Sequence, residues 1–391
     1  MSSRLRILTI GHSYCVAMNR ALFRELACDP DFDITIAGPR FFQADLRPIE
    51  MEPEPPESRL RAVALDTRLS RFIHIFSYDN AALKKLIRQG DFDIVHAWEE
   101  PYIFAGYQLA RAAKESAAKF CFWTCQNYVK RYPPPFGYFE RTVLARSQGW
   151  IALASLVHQA MLDRGYRKEA GRVLNLAVDL EQFGPLPEET RAQVRRELGL
   201  EAPVIGFVGR LTQDKGLDIL MPAIEKLGLQ RPWSLLLLGS GEYKEKVEAW
   251  ASSHGWSDRV KIVLAKHSEV PRYLGCMDLL VAPSQTMPHW KEQFGRMLVE
   301  AFAAGVPVIG SDSGEIPYVI GDAGRIVGEK DVAGWTQAMD ELLNDDAARD
   351  ELRRRGLKRA PQYSVSTIAQ QYREYFRWLA EQPRKATSLA N

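Results

Sequence analysis

Pro203-Val204-Ile205-Gly206-Phe207-Val208-Gly209-Arg210-Leu211-Thr212-Gln213-Asp214-Lys215-Gly216 begins as an uninterrupted apolar run and ends that run at a Gly-Arg pair. Five residues on, a Lys-Gly pair opens a helical segment, Gly216–Leu227. An apolar run without alternation is the mark of a strand buried on both faces, as in a parallel sheet covered by helices. The pattern recurs downstream: Ser234–Leu238, Val260–Leu264, Leu279–Ala282 and Pro307–Ile309 read as further buried strands. Helical segments follow each, at Glu242–Ser252, Ser268–Leu274, Gly295–Ala304 and Gly314–Ile320.

The same alternation fills the front of the chain. Arg6–Ile10, Phe32–Ala37, Ile94–Trp98, Phe120–Thr124 and Trp150–Ala154 read as strands with helices between them, the first across Asn19–Ala27. Glu50–Ser58, broken by prolines, reads as a surface loop. Leu174–Pro187 has the composition of a linker, and a last amphipathic helix runs through Ile368, Tyr372, Tyr375, Phe376 and Leu379. The fold class is therefore α/β, with two Rossmann-like doubly wound domains in series and a ligand expected in a cleft between them. The expected boundaries are 1–178, 179–362 and a terminal helix with its tail at 363–391.

A chain of 391 residues suits two domains. Its 46% hydrophobic and 26% charged residues exclude disorder and small disulfide scaffolds. A net charge of +2 gives no bulk signal for nucleic acid. Met1–Asp179 carries 24 basic and 20 acidic residues, which fits an anionic partner at the front without requiring one. Cys15, Cys28, Cys121, Cys125 and Cys276 form no C-x-x-C pair and read as reduced thiols. With no signal peptide or apolar span in the sequence, a cytoplasmic location is expected, with peripheral membrane contact left open.

Arg210 and Lys215 both emerge where ligands meet a parallel sheet, and a guanidinium fork beside an ammonium suits a diphosphate. The bland alternative is two solvated cations on a loop. In Glu292-Gln293-Phe294-Gly295-Arg296-Met297-Leu298-Val299-Glu300, Gly295 stands where a helix begins, so the N–H groups near Arg296 and Met297 can meet an anion. Glu300 lies in an apolar run; it either accepts from sugar hydroxyls or occupies a narrow wet stripe.

Taken together, Gly209-Arg210-Leu211 with Lys215-Gly216, Leu238-Gly239-Ser240-Gly241-Glu242, Ala282-Pro283-Ser284, Glu292 with Glu300, and Ala304-Gly305-Val306-Pro307-Val308 resemble the donor-binding half of the retaining GT-B-fold glycosyltransferases of family 4. The likeness runs from about Val204 to Gly328. It implies that Arg210 and Lys215 hold a nucleotide diphosphate and stabilise it as it leaves. Glu292 would bind the donor sugar, while Gly209, Phe294, Gly295, Arg296 and Met297 would line the phosphate and sugar. Glu300 would bind the ribose and Lys266 would help line the base pocket. The resemblance also implies that the terminal helix crosses back onto the first domain. The implied reaction moves a hexose from a nucleotide-diphosphate sugar (a UDP- or GDP-sugar) to a lipid, saccharide or small-molecule acceptor, with retention and without a metal or other cofactor.

The front half departs from the family pattern. Gly11-His12-Ser13-Tyr14-Cys15 has one glycine where members commonly have two. Val95-His96-Ala97-Trp98-Glu99-Glu100-Pro101 has Trp98 at the second of two usual histidines, and Gln126 of Thr124-Cys125-Gln126-Asn127 stands where many members have another. His12, Trp98, Glu99, Gln126 and Asn127 are the acceptor-side candidates, and Gln126 cannot be a general base. Glu99 and Glu100 otherwise read as helix-capping residues, and His96 as a core histidine. Asn127–Tyr138, with Lys130 and Arg131, reads as an acceptor-binding or membrane-facing loop, or as a packed surface loop. Asp29-Pro-Asp31-Phe-Asp33 and Asp91-Phe-Asp93 precede strands, on the wrong edge of a sheet for a metal site. Gly239-Ser-Gly241 lacks the third glycine of a dinucleotide fingerprint. The remaining alternatives are an epimerase or phosphorylase of this fold, and a non-catalytic partner subunit.

Overall fold

The computed structural model describes residues 4–43, 48–201, 203–228 and 232–383. Residues 384–391 of the expected tail lie outside the described residues. The chain divides into two compact units, Met1–Ala177 with Val365–Asn391, and Val178–Ser364.

The first unit is built on a seven-stranded parallel sheet. Leu5–Ile10 lies inside it, flanked on one side by Phe32–Pro39 and then Arg61–Leu65. On the other side follow Ile94–Ala97, Lys119–Thr124, Gly149–Ala152 and Gly171–Val173. Strand order thus reverses beside the first strand, and the carboxyl ends of Leu5–Ile10 and Ile94–Ala97 meet at the crevice where α/β sheets bind ligands. The second unit repeats the plan with six parallel strands. Val204–Val208 neighbours Ser234–Leu238 and then Val260–Val263 on one side, and Leu279–Ala282, Val308–Ser311 and Gly324–Val327 on the other. Its reversal point lies where Gly209 and Pro283 leave their strands.

The expected interior strands are present within a residue or two. Arg61–Leu65, Gly171–Val173 and Gly324–Val327 were not expected, and all three are sheet edges with partly exposed side chains. An edge strand is wet on one side and needs no apolar run, so it leaves little trace in composition. The Leu174–Pro187 stretch is not a free linker. The Leu174 N–H donates to Ala152 O at 3.0 Å in the first unit, while Phe183 is buried. Val178 and Ser364, the ends of the second unit, form a parallel bridge, so the chain leaves and returns at one place.

The returning helix, Val365–Glu381, does belong to the first unit, as expected. Ile368, Tyr372, Phe376 and Leu379 recur at helical spacing and bury their faces in one cluster with Phe23 and Leu26. Arg373 and Arg377 pair with Asp29 and Asp31 at 3.1 and 2.9 Å. Asp93 accepts the Arg6 N–H at 2.8 Å. The Asp-x-Asp segments are thus turn and pairing residues at the amino edge of the sheet. Among the described residues, no helix is long and apolar enough to cross a membrane.

Candidate active site

In the second unit three glycines bring two loops into contact. A Cβ on Gly239 would lie 1.9 Å from Gly209 O, and one on Gly241 would lie 2.4 Å from Leu211 O. The Leu211 N–H donates to Ser240 O at 2.9 Å. Gly216, at φ +78°, closes the loop against Pro283, whose carbonyl a Cβ would meet at 1.8 Å. The Gln285 N–H donates to Asp214 O at 2.8 Å. The 209–216 loop is therefore clamped on both sides, and its cations project from a fixed frame.

Lys215 points inward. Its Nζ lies 2.6 Å from Glu292 Oε2 and 4.4 Å from the centre of the Trp290 ring. Ser284 Oγ donates to the same carboxylate oxygen at 3.1 Å. The backbone of Glu292 is held as tightly: the Glu315 N–H donates to its carbonyl at 3.0 Å, and Gly314 sits so close that a Cβ would come within 2.0 Å of that oxygen. Arg210 differs: its side chain is half exposed and stands 3.3 Å from Asp214.

Gly295, at φ +77°, turns the chain into the Arg296–Ala303 helix. By the geometry of a helix start, the N–H groups of Arg296 and Met297 lack intrahelical acceptors. Glu300 is buried, so a wet stripe does not explain it. Burial raises its pKa, and Arg296, 2.9 Å away, acts in the opposite direction. Phe294 is buried edge-on against Tyr363. Lys266 is exposed, and its backbone N–H donates to the Glu269 carboxylate at 2.8 Å.

At the reversal point of the first unit, Glu99 gathers three donors. His12 N–H lies 2.6 Å from Oε1, Tyr78 OH 2.7 Å from the same oxygen, and His12 Nδ1 2.7 Å from Oε2. Burial opposes charge on His12, but the carboxylate outweighs it and the pKa stands above the usual histidine value. Burial, then Glu99, pushes the Tyr78 phenol well up, so it remains a donor. The single glycine of this loop has a steric reason: a Cβ on Gly11 would lie 2.8 Å from Trp98 Cβ. The His12 N–H is already given to Glu99, which weakens the case for a phosphate there.

Trp98, partly buried, stacks on Trp123 at 4.9 Å and packs against Tyr372 at the margin of the unit's aromatic core. Gln126 and Asn127 are buried. Glu100 accepts from Thr124 Oγ1 and the Cys125 N–H, each at 2.7 Å, and burial raises its pKa.

His96 is a core residue, fully buried with Nδ1 3.0 Å from Thr9 Oγ1. Burial lowers its pKa to about 3. A depressed folded pKa contributes stability above the unfolded value of about 6.5, lost as pH falls through that value toward the folded one. Between pH 7 and pH 5 the wild type should lose about 2 kcal/mol more than His96→Leu. Parallel acid limbs in urea denaturation of the two proteins would contradict this.

Residues 190–359 match the family model described as glycosyl transferases group 1. That segment is similar to the group 1 glycosyl transferases. Every donor-side candidate lies within it. Among relatives, the D-inositol 3-phosphate glycosyltransferase of Corynebacterium urealyticum is 31% identical over 242 residues, covering 58% of this chain and 56% of its own. The GDP-mannose-dependent alpha-(1-6)-phosphatidylinositol monomannoside mannosyltransferase of Mycolicibacterium smegmatis is 33% identical over 175 residues, covering 43% and 46%. The chain spans roughly half the length of these curated relatives. The fold extends further: a glycosyltransferase from Rickettsia africae aligns with a TM-score of 0.78 over 98% of this chain and 100% of its own, at 16% identity. Anabaena HepE, solved with UDP, aligns at 0.73 over 96% and 100%, at 17% identity. Two Rossmann-like units of the GT-B class are therefore shared along almost the whole chain.

Within the matched segment, Ser284, Trp290 and Gly314 had been assigned no roles, yet all touch the Lys215–Glu292 pair or its backbone. Ser284 stood in a matched motif and was within reach of the sequence. Trp290 and Gly314 had no signal of their own, since their place follows from how the loop folds. Tyr78 in the first unit was missed for the same reason.

Proposed function

We propose that the chain transfers a hexose from a UDP- or GDP-sugar to an acceptor, with retention of configuration and without a metal. The observation that carries this reading is the inward-facing Lys215, braced by Glu292 at the reversal point of the second sheet. The names of the relatives agree with it, since one is GDP-mannose-dependent and several act on inositol phosphate.

As the bond from the sugar to the β-phosphate oxygen breaks, negative charge collects on the diphosphate. Arg210 and Lys215 offset that charge where a metal would otherwise do so. Glu292 accepts from the sugar hydroxyls, and the N–H groups of Arg296 and Met297 face the phosphate or sugar. The acceptor oxygen attacks from the face the diphosphate is leaving, and its proton passes to a departing phosphate oxygen. Such a route needs no general base, in keeping with Trp98 and Gln126 at the positions of the family's histidines. His12, fixed by Glu99, with Gln126 and Asn127, orients the acceptor. Glu300 accepts from the ribose.

Calorimetric titration with UDP, GDP, ADP and their sugar conjugates, without added metal, tests this. One base should bind with micromolar affinity, and Glu300→Gln should raise its Kd about tenfold, the loss of a charge-assisted hydrogen bond. No binding across the panel would sink the reading. An unchanged Kd for Glu300→Gln would leave Glu300 as a structural partner of Arg296.

A further inference from the structure

Between Leu69 and Ile75 the first unit carries an unusual surface. Leu69, Phe72, Ile73 and Ile75 expose 57%, 54%, 37% and 42% of their area, while other exposed apolar side chains, such as Leu264 and Tyr318, stand singly in the sequence. Isolated exposed apolar residues are ordinary; a cluster on one loop marks an interaction surface.

The loop is anchored. Thr67–Arg68 pairs antiparallel with Ser77–Tyr78 at its ends, and the Phe104 N–H donates to His74 O at 3.0 Å. Phe76 is buried against Phe42 and the His12 ring. Leu69 adopts φ +57°, which a leucine takes when its surroundings impose it. The apolar side chains therefore face solvent on a defined scaffold.

Cations accompany them. Arg68, just before the segment, and Arg71, within it, are both exposed. Arg68 also lines an adjoining groove of about 760 Å³ with Lys84, Arg111, Lys114 and Arg146, against two carboxylates, Asp79 and Glu115. Asp79 is engaged as a helix cap, accepting the Ala82 N–H, and Glu115 is paired with Lys84 at 2.5 Å. The groove is cationic on balance.

We propose that the Leu69–Ile75 loop and the basic groove beside it seat the first unit on an anionic lipid surface. Aromatic and aliphatic side chains on a loop enter the acyl boundary, while adjacent arginines and lysines meet headgroup phosphates. An acidic protein would answer the cations but leave four apolar side chains to be covered by chance. The inference is independent of the transferase reading, because it is read by binding and not by turnover.

The test uses the full chain and flotation with vesicles of phosphatidylcholine mixed with phosphatidylglycerol, beside vesicles of phosphatidylcholine alone. The wild type should float with the anionic vesicles, less so as salt rises. Phe72→Ser with Ile75→Ser should lower the bound fraction at least tenfold, and Arg68→Gln with Arg71→Gln should flatten the salt dependence. Both variants should keep the wild-type melting midpoint, since the altered side chains are exposed. A wild type that stays with the soluble fraction overturns the proposal, as do variants that float like the wild type. Sedimentation equilibrium is the companion measurement. A wild type that self-associates while Phe72→Ser with Ile75→Ser is monomeric would give the surface to a second copy of the chain and overturn it as well.

Discussion

Lys215→Ala is expected to lower kcat/KM about 10³-fold, the scale on which one preorganised charge stabilises a leaving group. It should also lower stability by about 3 kcal/mol, because Glu292 is left buried beside Ser284 without its cation. The two effects are separable. Lys215→Met keeps an apolar stem beside the Trp290 ring, and combining it with Glu292→Gln removes the orphaned charge. That double variant should regain most of the lost melting midpoint and none of the turnover. Near-normal turnover in Lys215→Ala would remove the residue from the reaction. A double variant that recovered activity would mean that Lys215 serves only to neutralise Glu292.

Arg210→Ala should cost about 10²- to 10³-fold in turnover with the melting midpoint held within about 2 °C. Its side chain is half exposed and its partner Asp214 stands at 3.3 Å, an arrangement worth little to stability. A melting midpoint lowered as far as that of Lys215→Ala would show a structural role. A fully active Arg210→Ala would restore the reading of a solvated cation. As letters in a loop, the two cations look equivalent and both substitutions look harmless to the fold. The structure separates them, because one side chain turns into the unit and the other stays in water.

The interior of both sheets was legible for a physical reason. A strand covered on both faces must be apolar at successive positions, and Val204–Val208 and Leu279–Ala282 carry that requirement openly. Three of the four edge strands of these sheets escaped notice because one side of each is solvated, while the fourth, Val260–Val263, kept enough apolar residues to be read. The return helix was legible from its spacing, since Ile368, Tyr372, Phe376 and Leu379 fall on one face. Of the candidate site, the positions of Arg210 and Lys215 were readable because a strand end followed by a helix start fixes where a loop lies.

What composition and spacing could not supply were the partners. Glu292 reaches Lys215 across 77 residues, and Glu99 reaches His12 across 87. Neither pairing has a local signature; each arises because strand order reverses and brings two distant strand ends together. The fate of Trp98 was decided the same way. Its position resembles that of a family histidine, yet stacking on Trp123 and contact with Tyr372 from the returning helix hold it, partly buried, against the core. Local chemistry therefore determined which segments are buried and where loops emerge, because burial and backbone geometry act over a few residues. Tertiary packing alone decided which charges are paired and which aromatic side chains are exposed, because those depend on neighbours supplied by remote parts of the chain.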